Sequence, residues 1–267
     1  MRDILAHSPD YFSWHGNVRY AAQLAAAIQA SLTGLFVTPP GTPIPAPPRL
    51  AAEMAAYVHD ELQQAVLAGR DFAAWAARWG VADARWQVAL GPASDALAMA
   101  GNWHDLIVLQ GNASSGDPQE RVICDVLLSG TPCIVVPHAN VAQGLPVHVM
   151  VAWDGSPTSS RALHAALPLL QSAQVVSLSQ PAAGSTQAQH TDALSHLCAR
   201  GVRVGTVETI DGTDEMAGEQ LLAYANATRA DLIVMGARGC RRLGQRSLGT
   251  STSIVLTQAH LPVFLKN

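Results

Sequence analysis

The sequence is poor in charged residues and especially in lysine. Only 13% of the 267 residues are charged, and Lys266 is the single lysine among 16 basic residues. Hydrophobic residues make up 49% of the chain, which excludes a disordered protein, because disorder requires high charge and low hydrophobicity. The net charge of −4 means that the chain lacks the surplus of basic residues on which affinity for a phosphate backbone rests. We therefore expect a globular protein that is not a general nucleic-acid binder.

Long apolar runs and cysteine motifs are also missing. No segment approaches the ~18 consecutive apolar residues that a bilayer span requires, and no secretory signal follows the N-terminal methionine. We therefore expect no membrane association and a cytoplasmic location. The cysteines form no CxxC pair and no paired histidine spacing, which argues against a zinc site and against a disulfide framework. There are four of them: Cys124, Cys133, Cys198 and Cys240.

A short apolar pattern occurs twice in the chain. The segment 104–109 (HDLIVL) recurs as 230–235 (ADLIVM). Each copy is followed by a glycine, a helical stretch and a short proline-led apolar run, at 131–136 and at 261–265. The sequence therefore predicts two diverged copies of one unit.

The predicted join between the copies lies near 138–146, a polar segment that contains Gly and Pro. It separates a first domain, 1–140, from a second, 145–267. The first copy is the larger one, and its excess includes the proline-rich run 39–48, which favours an extended arm. A helical pattern over 50–79 follows this run. We expect either a surface insertion or an arm that clamps the other half or a partner chain.

Within each copy, short continuous apolar runs alternate with longer amphipathic stretches. Continuous apolarity is typical of strands covered on both faces, as in a parallel sheet. The intervening stretches carry Ala and Leu at helical spacing. The pattern predicts an α/β fold, doubly wound with right-handed crossovers. In the second copy the predicted strands are 147–153, 174–179, 202–208, 231–235 and 262–265.

A glycine motif follows the strand that is predicted to end at Met235. It has the form G-x2-G-x9-G-[ST], with glycines 236, 239 and 249 followed by Thr250 and Ser251. Glycines let backbone N–H groups curl around an anion, and the N-terminus of a predicted helix at 252–258 favours phosphate. The two hydroxyl groups add donors, and each charge-assisted hydrogen bond contributes roughly 1.5–3 kcal/mol. The motif predicts phosphate binding, and the alternative is a plain tight turn.

The segment 231–239 with Gly249-Thr250, together with Val151-Ala152-Trp153-Asp154-Gly155-Ser156, resembles the universal stress protein family. The resemblance is strong over 145–267 and weak over 1–138, and it implies a tandem, two-domain member. It also implies two five-stranded parallel sheets of strand order 3-2-1-4-5, an adenine-nucleotide-hydrolase-like architecture. In the nucleotide-holding branch of the family it implies an ATP site, expected to hold Mg²⁺ as well.

The resemblance assigns roles to individual residues of the second copy. Asp154 would accept hydrogen bonds from the ribose or help to fix the base, or else it caps the next helix, which Ser156 could do instead. Leu178 and Met235 would contact adenine, or simply pack in the core. The residues that match the phosphate-binding glycines and hydroxyl are Gly236, Gly239, Gly249 and Thr250.

Four arginines cluster around the motif. Arg238 lies between two of its glycines, where a guanidinium group could pair with phosphate oxygens. For Arg241, Arg242 and Arg246 a solvated basic face is the favoured interpretation. Cys240 in the same segment is a candidate redox-sensitive thiol, although only the arginines nearby would lower its pKa.

The first copy departs from the motif. After Leu109 its loop is shorter and lacks the third glycine, while Asp117 and Glu120 would repel phosphate. We therefore predict that the first copy binds no nucleotide. It would supply the face that another protomer supplies in one-domain relatives, which makes the chain a pseudo-dimer and leaves a homodimer open.

The sequence favours an ATP-binding protein with a regulatory or stress-response role and an unidentified protein partner. A slow ATPase or adenylyl-transferring enzyme is the first alternative, although no general base and no SGG-x-DS phosphate loop is present. A ligand-free interaction module is the second; the glycine motif argues against it, while Trp153 would favour it by crowding the base. No catalytic residue and no metal ligand is predicted.

Overall fold

The computed structural model describes residues 1–38, 48–111, 117–138, 144–181, 193–210, 214–238, 240 and 247–267. The first half contains β1 (Asp3–Ser8), α1 (Asn17–Ile28), β2 (Ser31–Thr38), α2 (Pro48–Leu67), α3 (Gly69–Arg78), β3 (Ala84–Leu90), α4 (Ala93–Gly101), β4 (Leu106–Gln110), α5 (Pro118–Ser129) and β5 (Cys133–Val136). The second half contains β6 (His148–Ala152), α6 (Pro157–Ser172), β7 (Val175–Gln180), α7 (Ala193–Ala199), β8 (Val204–Thr209), α8 (Asp214–Thr228), β9 (Leu232–Gly236), α9 (Thr250–Gln258) and β10 (Val263–Lys266).

The strands form one ten-stranded sheet of order β3-β2-β1-β4-β5-β10-β9-β6-β7-β8. Each half has the order 3-2-1-4-5 with parallel neighbours, so the predicted α/β fold is confirmed. The expected two sheets are joined, because β5 and β10 pair antiparallel, with Val135 opposite Val263 and Cys133 opposite Leu265. The proline-rich segment 39–47 and the part of the predicted join at 139–143 lie outside the described residues.

Helices cover both faces of the sheet. One buried cluster joins α1, α3, α6 and α7 to the sheet, and a second joins α4, α5, α8 and α9 to its other face. Residues 106–109 of β4 and 232–234 of β9 are fully buried, because an internal parallel strand is covered on both sides. Each cluster contains side chains from both halves, so the two halves share their hydrophobic cores.

The two aspartates of the repeated pattern make equivalent hydrogen bonds in the two halves. Asp105 Oδ2 accepts hydrogen bonds from the backbone N–H groups of Arg2 (2.5 Å) and Asp3 (3.3 Å). Asp231 Oδ2 accepts from the N–H groups of Val147 (2.8 Å) and His148 (3.3 Å). Each carboxylate therefore fixes the start of the first strand of its half beside the fourth.

The helical pattern predicted over 50–79 forms two consecutive helices, α2 and α3. Trp75 and Trp79 lie with ring centroids 6.3 Å apart, and Trp75 also stacks on Phe72, which is fully buried. In the described part of the chain no helix combines the length and the apolarity that crossing a bilayer requires.

Candidate functional site

A cleft of about 240 Å³ opens at the carboxyl ends of the strands in the second half. It lies where the chain order reverses, since β7 and β9 flank β6 on opposite sides. Open α/β sheets bind ligands at such switch points. The lining residues are Ala152, Trp153, Asp154, Ser179, Gln180, Pro181, Ile210, Ala217, Leu221, Met235, Gly236, Arg238, Gly249, Thr250, Ser251 and Thr252.

The first turn of α9 forms one wall of the cleft. The helix begins at Thr250, two residues earlier than predicted, and its N-cap is Gly249, which provides no side-chain cap. The backbone N–H of Gly249 donates to the carbonyl of Arg238 at 2.7 Å, which holds the two ends of the intervening segment together. Thr250, Ser251 and Arg238 therefore line the same space.

Gly236 is required by the packing of α6 on the end of β9. A Cβ atom at this position would lie 2.5 Å from the backbone nitrogen of Ser159 and 2.6 Å from the carbonyl carbon of Thr158. The first turn of α6 thus approaches the strand more closely than any side chain permits. This glycine serves the helix contact as well as lining the cleft.

Asp154 lies at the mouth of the cleft and forms an ion pair with Arg238. Its Oδ1 accepts a hydrogen bond from the backbone N–H of Ser156 at 2.9 Å, and its Oδ2 contacts the Arg238 guanidinium. Burial alone would raise the pKa of Asp154, but hydrogen bonds from the Ser156 and Ser159 hydroxyls and the charge of Arg238 lower it overall. Ser156, not Asp154, caps α6, since its side chain accepts from the backbone N–H of Ser159 at 3.2 Å.

Most of the residues predicted for the site come together, but not all. Met235 lines the cleft and is 5% exposed. Leu178 is not among the lining residues, because its side chain is fully buried in the core on the α6 face of the sheet. Gly239, Arg241, Arg242 and Arg246 lie outside the described residues.

Several lining residues were not predicted. Ser179, Gln180 and Pro181 lie at the end of β7, where the rule that ligands bind beyond the carboxyl ends of strands could have indicated them. Ala217 and Leu221 of α8 enter the lining through helix packing, for which the sequence carries no local signal.

The prediction of no disulfide is wrong for one pair of cysteines. Cys124 of α5 and Cys240 form a disulfide with their Cα atoms 5.3 Å apart and 116 residues apart in sequence. The pair joins the first half to the segment between β9 and α9, a tertiary contact that cysteine spacing cannot reveal. Of the other two cysteines, Cys133 is buried and Cys198 is exposed, and both are free.

Glu120 also has a role other than the one predicted. The residue is 2% exposed, and its Oε1 accepts a hydrogen bond from the backbone N–H of Leu248 at 2.8 Å. Leu248 directly precedes Gly249. The helix α5 of the first half therefore contacts the segment between β9 and α9, in which the glycine motif lies, through two side chains, Glu120 and Cys124.

At the equivalent place in the first half, Gln110 ends β4 where Gly236 ends β9. Its side-chain Oε1 accepts from the backbone N–H of Asn17 at 2.7 Å, and its Nε2 donates to the carbonyl of Val136 at 3.2 Å. A Cβ atom on Gly16 would lie 1.9 Å from that Oε1, and Gly16 has φ +54°. The N-terminus of α1 is therefore already occupied by a glutamine side chain.

The first half nevertheless has a cavity of about 560 Å³ beside Gln110. Its lining includes His7, whose pKa burial lowers to about 4, and Asp117, whose side chain caps α5 by accepting from the N–H of Gln119. In contrast to the second-half cleft, no arginine lines this cavity in the described residues. Nor does the described part of the chain contain a group of three or more His, Cys, Asp or Glu arranged to hold a metal ion.

Comparison with known proteins agrees with the sequence resemblance. Residues 147–265 match the family described as the universal stress protein family. Over the whole chain, the structure is similar to that of a universal stress protein from Archaeoglobus fulgidus DSM 4304, with a TM-score of 0.66 and 19% identity, covering 99% of this chain and 96% of that one. A functionally unknown protein from Pseudomonas aeruginosa PAO1 has a TM-score of 0.57 and 15% identity, covering 99% and 92%. No curated protein matches the chain significantly.

The second half therefore matches the universal stress protein family, in agreement with the resemblance carried by the glycine motif. The complete chain shares the fold of the archaeal universal stress protein, and its first half repeats the same strand order.

Proposed function

We propose that the protein is an ATP-binding regulatory protein of the stress response and that it holds the nucleotide in the second-half cleft. One observation carries the proposal: the first turn of α9, without a side-chain cap, lines the same cleft as Arg238 and two hydroxyl side chains. A helix N-terminus with a nearby guanidinium group favours an anion of several charges.

The residues present fit a chain of phosphates. Gly249 places no side chain at the entry of α9, and Thr250 and Ser251 offer hydroxyl groups at its first two positions. Arg238 is the single cation among the described lining residues, and its side chain is 46% exposed and thus within reach of a ligand.

The other end of the cleft fits a nucleoside. Asp154 offers a carboxylate that can accept hydrogen bonds from ribose hydroxyls, and Met235, Ile210 and Leu221 offer apolar contacts for a base. Mg²⁺ would be bound chiefly through phosphate oxygens and water, because Asp154 is the single carboxylate among the described lining residues and is already paired with Arg238.

We propose that the protein is not an enzyme. Among the described lining residues there is no histidine, and the carboxylate of Asp154 is held by Arg238 and Ser156. An attacking water would therefore lack a general base. Binding of ATP would instead change the choice of an unidentified protein partner, with the first half serving as a nucleotide-free scaffold and the protein located in the cytoplasm.

Calorimetry with MgATP tests the proposal, together with mass spectrometry of the nucleotide released from purified, denatured protein. We expect heat of binding from the parent protein and roughly tenfold weaker binding by Thr250→Val, which removes one hydrogen bond to a charged ligand without changing side-chain volume. Thr257→Val is the matched control. It lies on the same helix outside the cleft, where its hydroxyl donates to the carbonyl of Ser253 at 2.8 Å, and should bind like the parent.

Two results would contradict the proposal. One is the absence of heat at millimolar ATP together with no nucleotide in the purified protein. The other is an equal affinity of the parent and Thr250→Val, which would place the phosphates elsewhere. Release of phosphate at more than a trace rate would favour the enzyme instead.

A further inference from the structure

We propose that the Cys124–Cys240 disulfide is a reversible redox modification site that sets the affinity of the second-half cleft for its nucleotide. The inference rests on the proposed function for its ligand. The redox state of the two cysteines would control how tightly the cleft binds its nucleotide, and one of the two cysteines lies in the first half of the chain.

The geometric basis is that α5 contacts the segment between β9 and α9 at both of its ends. Cys240 lies two residues after Arg238, and Leu248 lies directly before Gly249. Their partners, Cys124 and Glu120, are four residues apart on α5 and therefore project from the same face of the helix. One bond is covalent and the other is a hydrogen bond.

These contacts act on groups that line the cleft. Arg238 and Gly249 both line it, and they are joined to each other by the 2.7 Å hydrogen bond between the N–H of Gly249 and the carbonyl of Arg238. A displacement of Cys240 is therefore transmitted to Arg238 within two residues. Fixing Cys240 on α5 orders this wall of the cleft before a ligand arrives, and preorganisation raises affinity.

The redox step is thiol–disulfide exchange with a dithiol reductant. One thiolate of the reductant attacks a sulfur of the pair, forms a mixed disulfide and releases the other protein sulfur as a thiolate. The second thiol of the reductant then displaces the remaining protein sulfur. The protein gains two electrons and two protons as two cysteine thiols, and the reductant becomes a disulfide. After reduction, α5 and the segment between β9 and α9 are no longer joined covalently, and the hydrogen bond from the N–H of Leu248 to Glu120 persists.

The burial of the pair makes the coupling work in both directions. Cys124 is fully buried and Cys240 is 6% exposed, so a reductant reaches the sulfurs only when the chain near Cys240 moves away from α5. Bound nucleotide opposes that movement, because it contacts the same wall. By linkage, the factor by which the disulfide raises the affinity for ATP equals the factor by which ATP favours the disulfide.

The first test compares the oxidised protein with protein reduced by dithiothreitol, using calorimetry with MgATP. Peptide mapping after alkylation of free thiols verifies which cysteines are paired in each sample. We expect the affinity to fall by roughly five- to hundredfold on reduction, the range that is typical of coupled sites. The reduced protein should recover its original affinity for MgATP after reoxidation.

The second test measures the same coupling without a binding assay. In a glutathione redox titration, saturating ATP should move the midpoint of the pair to more reducing potentials by about 30 mV for each tenfold difference in affinity. It should also slow the alkylation of Cys240 in the presence of reductant.

Cysteine variants distinguish the effect of the Cys124–Cys240 pair on ATP binding from any effect of the other thiols. The double variant Cys124→Ala with Cys240→Ala should bind ATP like the reduced parent and show no response to dithiothreitol. Cys198→Ser, which removes the exposed free thiol of α7, should retain the full response. The unmodified protein in its two redox states provides the same comparison if the double variant folds poorly.

Each outcome is decisive. Equal affinity of the oxidised and reduced parent, both binding ATP, overturns the redox proposal and leaves the proposed function standing. Absence of ATP binding in both the oxidised and the reduced protein overturns the redox proposal and the proposed function together. Peptide mapping that finds Cys124 and Cys240 unpaired after exposure to an oxidising glutathione buffer overturns the redox proposal regardless of the ligand.

Discussion

The carboxylate of Asp154 and the guanidinium of Arg238 form an ion pair across the mouth of the second-half cleft, joining the end of β6 to the segment after β9. Both side chains are 46% exposed, so the pair contributes little to folding, at most about 1 kcal/mol. It keeps a cation beside the first turn of α9. When a phosphate chain binds there, the guanidinium can exchange a carboxylate partner for phosphate oxygens.

Arg238→Ala should therefore weaken nucleotide binding with little effect on stability. We expect at least a tenfold loss of affinity for MgATP in calorimetry, from one lost charge-assisted contact. The free energy of unfolding in urea should change by less than about 1 kcal/mol. Arg49→Ala is the control, because it removes a more exposed ion pair, with Glu53, from the distant helix α2. A loss of affinity shared by both variants would mean that net charge, not position, matters.

The two glycines at the ends of the motif should behave differently when changed to alanine. Gly236→Ala places a Cβ 2.5 Å from the backbone nitrogen of Ser159. Because a backbone atom can move away only if α6 shifts, the substitution should lower the free energy of unfolding by about 1–3 kcal/mol. At Gly249 the nearest atom would be the Arg238 carbonyl oxygen at 3.4 Å, and φ is −64°, so Gly249→Ala should cost less than about 1 kcal/mol. Chemical denaturation measures both, and equal losses would contradict this account.

The positions of the second-half strands were predictable because they depend on local patterns, whereas the strand order was implied by the family resemblance. The aspartates at 105 and 231 that revealed the repeat occupy equivalent places, and each fixes the first strand of its half. Continuous apolar runs located the second-half strands to within two residues, since a buried parallel strand admits few polar side chains. The first turn of α9 was placed two residues late, because Gly249 and the hydroxyl residues after it resemble loop as much as helix.

The parts of the site that depend on contacts between the halves could not be predicted. No pattern near Cys124 or Glu120 indicates that α5 contacts the segment before α9. These contacts follow from the antiparallel pairing of β5 with β10, which brings the two copies together in one sheet. In the same way, Leu178 matched a family position, but the direction of its side chain depends on the face that β7 presents to α6.

The contact of Glu120 with Leu248 should matter for stability. Glu120→Ala leaves the buried N–H of Leu248 without this acceptor and should lower the free energy of unfolding by about 1–3 kcal/mol. Glu120→Gln retains a side-chain oxygen that can accept the bond and should lose less. Thermal unfolding monitored by circular dichroism ranks the three proteins, and an alanine variant as stable as the parent would show that the bond contributes nothing.

His7 should make the stability of the chain depend on pH between about 4 and 6.5. Burial lowers its pKa from 6.5 to about 4 in the folded protein, so between these values the unfolded chain binds a proton that the folded chain does not. The free energy of unfolding should therefore be highest above pH 6.5 and fall as the pH drops towards 4, by up to about 1.4 kcal/mol per pH unit from this residue.

His7→Gln removes the titrating group, so urea denaturation from pH 4.5 to 7.5 should give a flatter slope of unfolding free energy against pH than in the parent. His59→Gln, on the exposed surface of α2, should keep the parent slope. A His7→Gln slope equal to that of the parent would show that the imidazole becomes protonated in the folded state as readily as in the unfolded chain.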